Sequence, residues 1–368
     1  MATEINRWRG VNLGGWLVLE KWMTPSLFQG LKAADETAWS VELAENAAPR
    51  LREHWNSFIT REDFVWLAAR GINAVRIPVG YWLFGPDYPY HPRFYGLRHP
   101  FVAGGDEIVA RALDWAAECG LVVVLDLHAA PGCQNGFDNG GMLDVLEWHQ
   151  HPEYLSYTVG FLERLAARFG PHPALCAIEA LNEPHWLIDT EYLINFTRAA
   201  YWAIRAHCPP DRVTVMFHNA FRPHTAYAPL LDDPNLENLC LDIHRYQCFS
   251  EVEREQSIFQ HLLQAAVQRS QEADALLARV RQAVVVGEWS LGLDEKFIVN
   301  WRGQGLLRPE SSMDAWRQDL AYRAYADAQL LSFEKFSGWF FWSYKTETAP
   351  QWSFRDAVER GWLPARFC

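Results

Sequence analysis

The chain has 368 residues, of which 49% are apolar and 21% are charged, so it has enough apolar material for a large core. Its formal net charge of −12 argues against a nucleic-acid partner, because proteins that bind nucleic acid need a basic surface. No apolar run approaches the ~18 residues that span a bilayer, so no membrane association is expected. The start, MATEINRWRG, lacks an apolar signal core, which predicts a cytoplasmic location, or a secreted one if a leader has been trimmed.

Segments typical of strands and of helices alternate along the chain. The predicted strands are RGVNLGG (9–15), NAVRIPV (73–79), LVVVLDLH (121–128), LCAIEALNE (175–183), VTVMFHN (213–219), LCLDIHRY (239–246), AVVVGEWS (283–290) and SGWFFWSY (337–344). The predicted helices cover 61–71, 106–120, 153–169, 190–207, 256–282, 314–335 and 353–360, with a weak helix at 225–238. Most of these strands are near-continuous apolar runs, which indicates a parallel sheet covered by helices on both faces.

Eight βα units over this length predict an α/β fold, a (β/α)8 TIM barrel with its site at the C-terminal ends of the strands. A doubly wound open sheet is the alternative, but RGVNLGGW lacks the G-x-G-x-x-G spacing that such a sheet carries after its first strand. No linker, repeat or low-complexity tract divides the chain. We therefore predict a single catalytic domain over residues 1–368.

Aromatic residues make up 14% of the chain, and many stand in polar contexts such as YWLFGPDYPYHPRFYG (81–96). Rings on a loop surface suit ligands with flat apolar faces, sugars foremost. This stretch is therefore expected to expose rings to a ligand.

Two glutamates follow apolar strands and have non-ionisable neighbours, in ALNEPH and VVVGEWS. Glu183 ends the fourth predicted strand and Glu288 the seventh, so the two carboxyl groups face each other across the barrel mouth. Glycoside hydrolysis needs such a pair, one to protonate the leaving oxygen and one to attack the anomeric carbon. We predict that apolar surroundings raise the pKa of Glu183, the acid/base. Arg76 and Tyr246 are expected to keep Glu288 ionised.

A metal site is the competing interpretation of the strand ends. Five residues there offer ligand atoms for zinc or manganese: Asp126, His128, His185, Asp242 and His244. The chain has no H-x-H pair at these positions, and its seven cysteines form no C-x-x-C. We therefore predict no metal and no cofactor. Asp126 and Asp242 are expected to orient the histidines that follow two residues later, and His185 to neighbour the site.

Eight motifs resemble glycoside hydrolase family 5, and within it the exo-β-1,3-glucanase group. They are RGVNLGGWLVLE (9–20), MTPSLF (23–28), NAVRIPVGYW (73–82), LDLHAAPGCQNGFDNGG (125–141), LNEP (181–184), HRYQCFS (244–250), VGEWS (286–290) and GWFFWSYKTETAPQW (338–352). The resemblance extends over nearly the whole chain. It implies double-displacement chemistry with Glu183 as acid/base and Glu288 as nucleophile.

The resemblance also implies a set of substrate-binding residues: Glu20, Arg76, His128, Phe137, Asp138, Asn139, Asn182, His244, Tyr246, Phe249, Trp342 and Trp352. Within this set Asn182 is expected to reach the 2-hydroxyl of the sugar, and Trp342 to form a stacking floor. Phe137 and Phe249 are expected to clamp the next sugar at the entrance, with loop packing as the alternative for both.

The function so implied is a retaining exo-acting β-glucosidase or β-1,3-glucanase. It releases glucose from the non-reducing end of β-glucans, oligosaccharides or small β-glucosides. An endo-β-1,4-glucanase, a mannanase or a diglycosidase uses the same two glutamates and is the alternative. Transglycosylation also stays open, and a catalytically silent carbohydrate-binding barrel is a third possibility. Lys21 and Tyr344 stand where relatives usually have Pro and Trp, close to the expected pocket, and they leave its fit open.

Overall fold

The computed structural model describes residues 7–293 and 312–367, and its parallel strands form one closed barrel. The strands, β1 to β8, are Trp8–Asn12, Ala74–Gly80, Val122–Ala129, Leu175–Glu179, Thr214–His218, Leu239–Arg245, Ala283–Trp289 and Gly338–Phe341. Each strand pairs with its neighbours in chain order, and β1 pairs with both β2 and β8, which closes the ring. The predicted (β/α)8 barrel is confirmed.

The helices alternate with the strands. In chain order, α1 to α12 are Glu36–Leu43, Ala47–Ser57, Arg61–Ala69, Gly105–Cys119, Pro152–Phe169, Thr190–Arg205, Ala228–Leu231, Glu251–Arg254, Ile258–Leu263, Arg269–Leu277, Ser312–Phe333 and Phe354–Glu359. Within the described ranges, none of them combines the length and apolarity needed to cross a bilayer.

Several predicted boundaries are wrong. The helix predicted at 256–282 is interrupted by a π-helical turn, Gln264–Gln268, that separates α9 from α10. Strand β4 ends at Glu179 rather than at Glu183, whose backbone has a φ of 41° and so cannot continue a strand. Helices α1 and α2 were not predicted.

The aromatic stretch 81–96 is mostly core, contrary to the prediction. The rings of Tyr81, Trp82, Tyr88 and Phe94 are buried. Tyr81 packs edge to face against both Trp82 and Tyr88, and Tyr88 packs in the same way against Phe94. Trp82 also stacks on Phe101 at 4.0 Å. Edge-to-face contact lets such rings fill space efficiently, so the aromatic content here serves packing.

A small apolar layer fills the inside of the barrel, separate from the large core between strands and helices. Its members come from successive strands: Ala74, Val124, Ala177, Met216, Cys240, Val285 and Phe340. On β1 the matching position is Gly10, where an added Cβ would lie 2.2 Å from the Phe340 ring. This layer closes the barrel from below, so that ligands can enter only from the C-terminal ends of the strands.

Glu36, in the first turn of α1, is 1% exposed, and its Oε2 accepts a hydrogen bond from the backbone N–H of Leu19 at 2.7 Å. Burial raises the pKa of this carboxyl from 4.5 to about 8. The folded state therefore holds a proton that the unfolded chain releases above pH 4.5. The protonated Glu36 therefore contributes its full share to the free energy of unfolding below pH 4.5, and this contribution is lost as the pH rises to about 8.

We expect Glu36→Gln to weaken the dependence of stability on pH. The amide oxygen of glutamine accepts the hydrogen bond from the Leu19 N–H and carries no charge at any pH. The measurement is Tm between pH 5 and pH 8 for the wild type, Glu36→Gln and the exposed control Glu45→Gln. The wild type and the control should lose Tm over this interval, and Glu36→Gln should lose less. Equal slopes in all three proteins would contradict the assignment.

Candidate active site

A layer of polar and aromatic side chains lies directly above the apolar layer. Side chains alternate between the two faces of a strand, so the next inward position is two residues further along. In strand order these positions are Asn12, Arg76, Asp126, Glu179, His218, Asp242, Gly287 and Trp342, and all the side chains among them are at most 3% exposed. The strands thus place an ionisable layer at the floor of the barrel mouth.

Arg76 is the centre of this layer and is fully buried. Its Nε donates to Glu179 Oε2 at 2.8 Å, and its Nη1 donates to Glu288 Oε1 at 3.1 Å. Its Nη2 donates to Asn182 Oδ1 at 2.8 Å and lies 3.0 Å from Asp126 Oδ2. Burial lowers the pKa of this guanidinium, but the surrounding carboxylates outweigh it and raise the pKa well above the ordinary value. Arg76 is therefore a fixed cation that links β4, through Glu179, to β7, through Glu288.

The glycine of VGEWS is required by a carboxylate from the neighbouring strand. The Gly287 N–H donates to Asp242 Oδ1 at 2.7 Å, and an added Cβ at Gly287 would lie 2.1 Å from Oδ2 of the same carboxylate. On the other side, Asn12 Nδ2 donates to the Gly287 carbonyl at 2.9 Å. The register of β6 and β7 shifts just here, which pairs His244 with Glu288. The motif thereby delivers Glu288 beside His244.

His244 bridges the two predicted catalytic glutamates. Its Nδ1 lies 2.7 Å from Glu183 Oε1 and 3.4 Å from Glu288 Oε2, while its Nε2 lies 3.1 Å from Asp242 Oδ2. Burial lowers the pKa of this imidazole, but the charges of Glu288 and Asp242 and the hydrogen bonds raise it well above 6.5. His244 is therefore an imidazolium that donates from both nitrogens.

The predicted rise in the pKa of Glu183 is wrong. Burial raises the pKa of Glu183, but the hydrogen bond and charge of His244 outweigh it and lower the pKa to about 2. Glu288 does accept from Arg76 and, at 2.8 Å, from the Tyr246 hydroxyl, as predicted. Burial is nevertheless the largest influence and raises its pKa. Glu183 and His244 titrate as a pair, and the histidine holds their proton.

His128 and Trp342 lie together on one side of the layer. Their rings are stacked with centroids 5.3 Å apart and planes 6° apart. His128 Nδ1 lies 2.6 Å from Asp126 Oδ2, so the prediction that Asp126 orients this ring is confirmed. Asp242 likewise contacts His244.

An aromatic wall joins distant parts of the chain. Glu20 Oε2 accepts from Trp22 Nε1 at 2.8 Å, and the Trp22 ring lies 5.4 Å from the Trp352 ring. Trp352 in turn lies 5.3 Å from Tyr246 and 6.2 Å from Phe249. Burial and the charge of Asp138 raise the pKa of Glu20 well above its ordinary value.

The loop after β3 brings Phe137, Asp138 and Asn139 to the site. Asn139 Nδ2 donates to Glu183 Oε2 at 3.4 Å, and burial raises the pKa of Asp138. The ring contacts of Phe137 are with His185 and Trp186, whereas those of Phe249 are with Tyr246 and Trp352. The two phenylalanines thus belong to separate aromatic groups, and their joint action as a clamp stays a prediction.

Three residues at the site were not predicted. Glu179 pairs with Arg76, and Trp22 orients Glu20. The His218 ring lies 4.3 Å from His244, and burial lowers its pKa to about 3, so it is neutral. Glu179 and His218 could have been found from the sequence, because they stand two residues after the inward positions Ala177 and Met216.

Lys21 and Tyr344, the two residues that depart from the family pattern, form hydrogen bonds with neighbouring parts of the fold. Lys21 Nζ donates to the Ala33 carbonyl at 2.8 Å, and the Tyr344 hydroxyl donates to Asp63 at 2.7 Å on helix α3. The polar groups of both side chains are therefore occupied by scaffold contacts.

Two triplets of side chains bring possible metal ligands within 4.8 Å of one another. They are Glu183 with His218 and His244, and Glu179 with Asp242 and His244. His244 belongs to both, and an imidazolium has no lone pair to offer a cation. The neighbouring Arg76 adds positive charge. The geometry favours a hydrogen-bonded network over a metal site.

A parallel barrel with two buried carboxyl groups at its strand ends, joined through one histidine, has the parts of a glycoside hydrolase. Residues 36–347 match the family model for Cellulase (glycosyl hydrolase family 5), and the chain belongs to this family.

Curated relatives agree with this assignment, and a solved structure shares the fold. The chain is 36% identical to "Probable glucan 1,3-beta-glucosidase A" of Emericella nidulans, over 99% of this chain and 91% of the relative. It is 34% identical to "Glucan 1,3-beta-glucosidase" of Blumeria graminis, over 97% and 86%. The fold is similar to that of rutinosidase from Aspergillus niger, with a TM-score of 0.77, 20% identity, and 98% and 99% of the two chains covered.

Proposed function

We propose that this glycoside hydrolase is a retaining, exo-acting β-glucosidase or β-1,3-glucanase. One observation carries the retaining mechanism: a single nitrogen, His244 Nδ1, lies within hydrogen-bonding reach of both glutamates. The two carboxylate oxygens it contacts therefore lie no more than about 6 Å apart, as in retaining rather than inverting glycosidases. So short a separation leaves no room for a water between carboxylate and sugar.

The contacts of each glutamate indicate its role in the reaction. Glu288, oriented by Arg76 and Tyr246, attacks the anomeric carbon as the bond to the leaving oxygen breaks. Glu183 passes to that oxygen the proton that it shares with His244. In the second step Glu183 takes a proton from water, which displaces Glu288 and releases the sugar with its original configuration.

Buried polar atoms around the glutamates support a sugar as the ligand. Glu20 Oε1, His128 Nε2 and Asn182 Nδ2 are buried and have no hydrogen-bond partner among residues 7–293 and 312–367. Buried polar atoms are nearly always hydrogen-bonded, so these three are suited to the hydroxyl groups of a ligand. The Trp342 ring beside His128 offers an apolar face for the sugar ring to pack on.

The linkage and the exo mode rest on two supports. Relatives at 33–36% identity over nearly the whole chain are named glucan 1,3-beta-glucosidases. The wall of Glu20, Trp22 and Trp352 contacts Tyr246, whose hydroxyl donates to Glu288, and a wall so near the nucleophile favours a closed end that takes a terminal glucose. Endo-β-1,4-glucanase, mannanase and diglycosidase activities use the same two carboxylates, and a substrate panel separates them.

We expect laminari-oligosaccharides to yield glucose as the first product, and NMR to detect the β-anomer before mutarotation. The panel also includes cello-oligosaccharides, manno-oligosaccharides, rutinosides and 4-nitrophenyl β-glucoside, each with and without EDTA. Longer oligosaccharides as first products would refute the exo mode, and α-glucose would refute retention. Loss of activity in EDTA would revive the metal interpretation.

A further inference from the structure

Helix α11 (Ser312–Phe333) exposes a row of side chains in which two leucines flank two opposite charges. Leu320 is 48% exposed and Leu331 is 68% exposed. Arg323 and Asp327 lie between them and are also exposed. The spacing of three or four residues places the whole row on one side of the helix, whose other side is buried. The outward face of a surface helix is normally polar, so leucines on both flanks of the charges indicate a binding surface.

A second exposed apolar row lies on the neighbouring helix. Helix α9 and the π-helical turn after it carry three such side chains, which are 78%, 54% and 43% exposed in chain order: Phe259, Leu263 and Val267. These two elements pack along α11, where Ser332 Oγ donates to the Ala265 carbonyl. The two rows together are here called the α9–α11 face. Apolar side chains gathered on one surface indicate association with a partner, whereas single exposed ones are normal.

The two charges of the row are not paired with each other. Arg323 and Asp327 are four residues apart, a spacing at which Arg355 and Glu359 do form an ion pair, at 3.0 Å. In the described part of the chain, neither Arg323 nor Asp327 has an ion-pair partner. Arg323 Nε donates to the Gly361 carbonyl at 2.7 Å, which anchors the side chain without neutralising its charge. The row therefore offers one free positive and one free negative charge to a partner.

The row is complementary to a second copy of itself. In an antiparallel pair of α11 helices, Leu320 faces the partner's Leu331, and Arg323 faces the partner's Asp327. A twofold axis repeats both contacts in the opposite sense, so every position of the row is matched. The spacings agree to within one residue, about 1.5 Å along the helix axis. A parallel pair would instead set arginine against arginine and aspartate against aspartate.

We propose that the α9–α11 face binds a second copy of this chain, so that the protein is a twofold-symmetric dimer with two antiparallel α11 helices at its centre. The leucines and the α9 row supply the apolar burial, and the two Arg323–Asp327 pairs fix the direction and register of the helices. The face lies on the outside of the helix layer and contains none of the residues of the active site. The inference therefore does not depend on the proposed function.

The test reverses the charges one at a time and together. Molar mass is measured by sedimentation velocity from about 1 to about 100 µM, where an interface of ordinary size is populated. The wild type should reach twice the mass of one chain. Arg323→Asp and Asp327→Arg each place like charges opposite one another, so each should weaken the dimer at least about tenfold.

Two combinations should restore the dimer. The double variant Arg323→Asp/Asp327→Arg exchanges the signs and keeps every pair complementary, so it should associate like the wild type. An equimolar mixture of the two single variants should form mixed dimers, because one chain then carries two aspartates in the row and the other two arginines.

Leu331→Glu should also weaken the dimer, since it places a charge on the apolar flank. The matched control is Val65→Glu, on the outer face of α3 at a residue that is 45% exposed, and it should associate like the wild type. Near-UV circular dichroism, and kcat/KM on a glycoside that the wild type cleaves, should be unchanged in every variant. These two measurements separate loss of the dimer from loss of the fold.

The inference is overturned if the wild type is monomeric at about 100 µM. It is also overturned if a wild-type dimer survives both charge reversals and Leu331→Glu, because another surface would then hold the dimer. Single variants that lose the dimer without rescue, either in the double variant or in the mixture, would refute the antiparallel pairing of the charges.

Discussion

Replacing Glu288 by Gly is expected to lower kcat/KM by at least about 10⁴-fold, the scale observed when a catalytic nucleophile is removed. The substitution removes the carboxylate that Arg76 Nη1 and the Tyr246 hydroxyl orient, and it leaves both donors in place. Without the nucleophile no covalent intermediate forms, so the first displacement stops.

External azide should restore turnover of an activated aryl β-glucoside in Glu288→Gly, because a small anion fits the space of the missing carboxylate. It attacks from the face that Glu288 used, so the product is the α-glucosyl azide. The product is identified by NMR, and the rate is measured against azide concentration. A β-glucosyl azide would instead assign the missing group to the acid/base role.

Two controls separate chemistry from folding. Glu288→Gln keeps the shape, and its single amide oxygen can still accept from Arg76, while its NH2 group can donate to the Tyr246 hydroxyl oxygen. It should therefore fold like the wild type and be as inactive as Glu288→Gly. The difference in Tm between Glu288→Gln and Glu288→Gly measures how much the side chain at this position contributes to stability through its contacts with Arg76 and Tyr246. Wild-type activity in Glu288→Gln would show that another group is the nucleophile.

The barrel could be predicted because its strands are buried on both faces and therefore read as apolar runs. The position of the site followed, since parallel strands place their C-terminal ends at one mouth. Glu183 and Glu288 stood out there as isolated carboxylates. Helices α1 and α2 were missed although Asp35 caps α1 by accepting from the Ala38 N–H at 2.7 Å, a local signal present in the sequence.

The protonation states could not be predicted, because they depend on which atoms a shared neighbour reaches. Apolar surroundings do raise the pKa of Glu183, as expected, but His244 Nδ1 lies nearer to it than to Glu288, by 2.7 Å against 3.4 Å. That difference depends on how three side chains from different parts of the chain are placed in space, which the sequence patterns do not specify. The roles of the predicted sugar-binding residues stay predictions.

The shared proton has a consequence for the pH dependence of kcat/KM. Glu288 must be ionised, and burial raises its pKa, so the acid limb should lie above the range of an ordinary glutamate. The proton for the leaving group is held by the Glu183–His244 pair, in which the pKa of His244 is raised well above 6.5. As the pH rises this proton is lost, and the alkaline limb should lie well above the pKa of an isolated carboxyl.

Glu183→Gln should lower kcat/KM for laminaribiose by about 10²- to 10⁴-fold, the usual contribution of a general acid. For 2,4-dinitrophenyl β-glucoside the loss in kcat/KM should be small, because that leaving group departs without a proton. The alkaline limb should also disappear with this substrate. Stopped-flow measurement of dinitrophenolate release checks the first step, and the exposed control Glu62→Gln should behave as the wild type.

Equal losses on the two substrates would contradict the acid role, since only proton donation depends on the basicity of the leaving group. A surviving alkaline limb in Glu183→Gln would mean that the proton lost at high pH serves the fold or Glu288 rather than the leaving group. His244 still contacts Asp242 and Glu288 in that variant, so it can remain charged. The two substrates therefore separate two roles of His244. One is to balance the negative charges of Asp242 and Glu288, and the other is to supply, through Glu183, the proton that the leaving group needs.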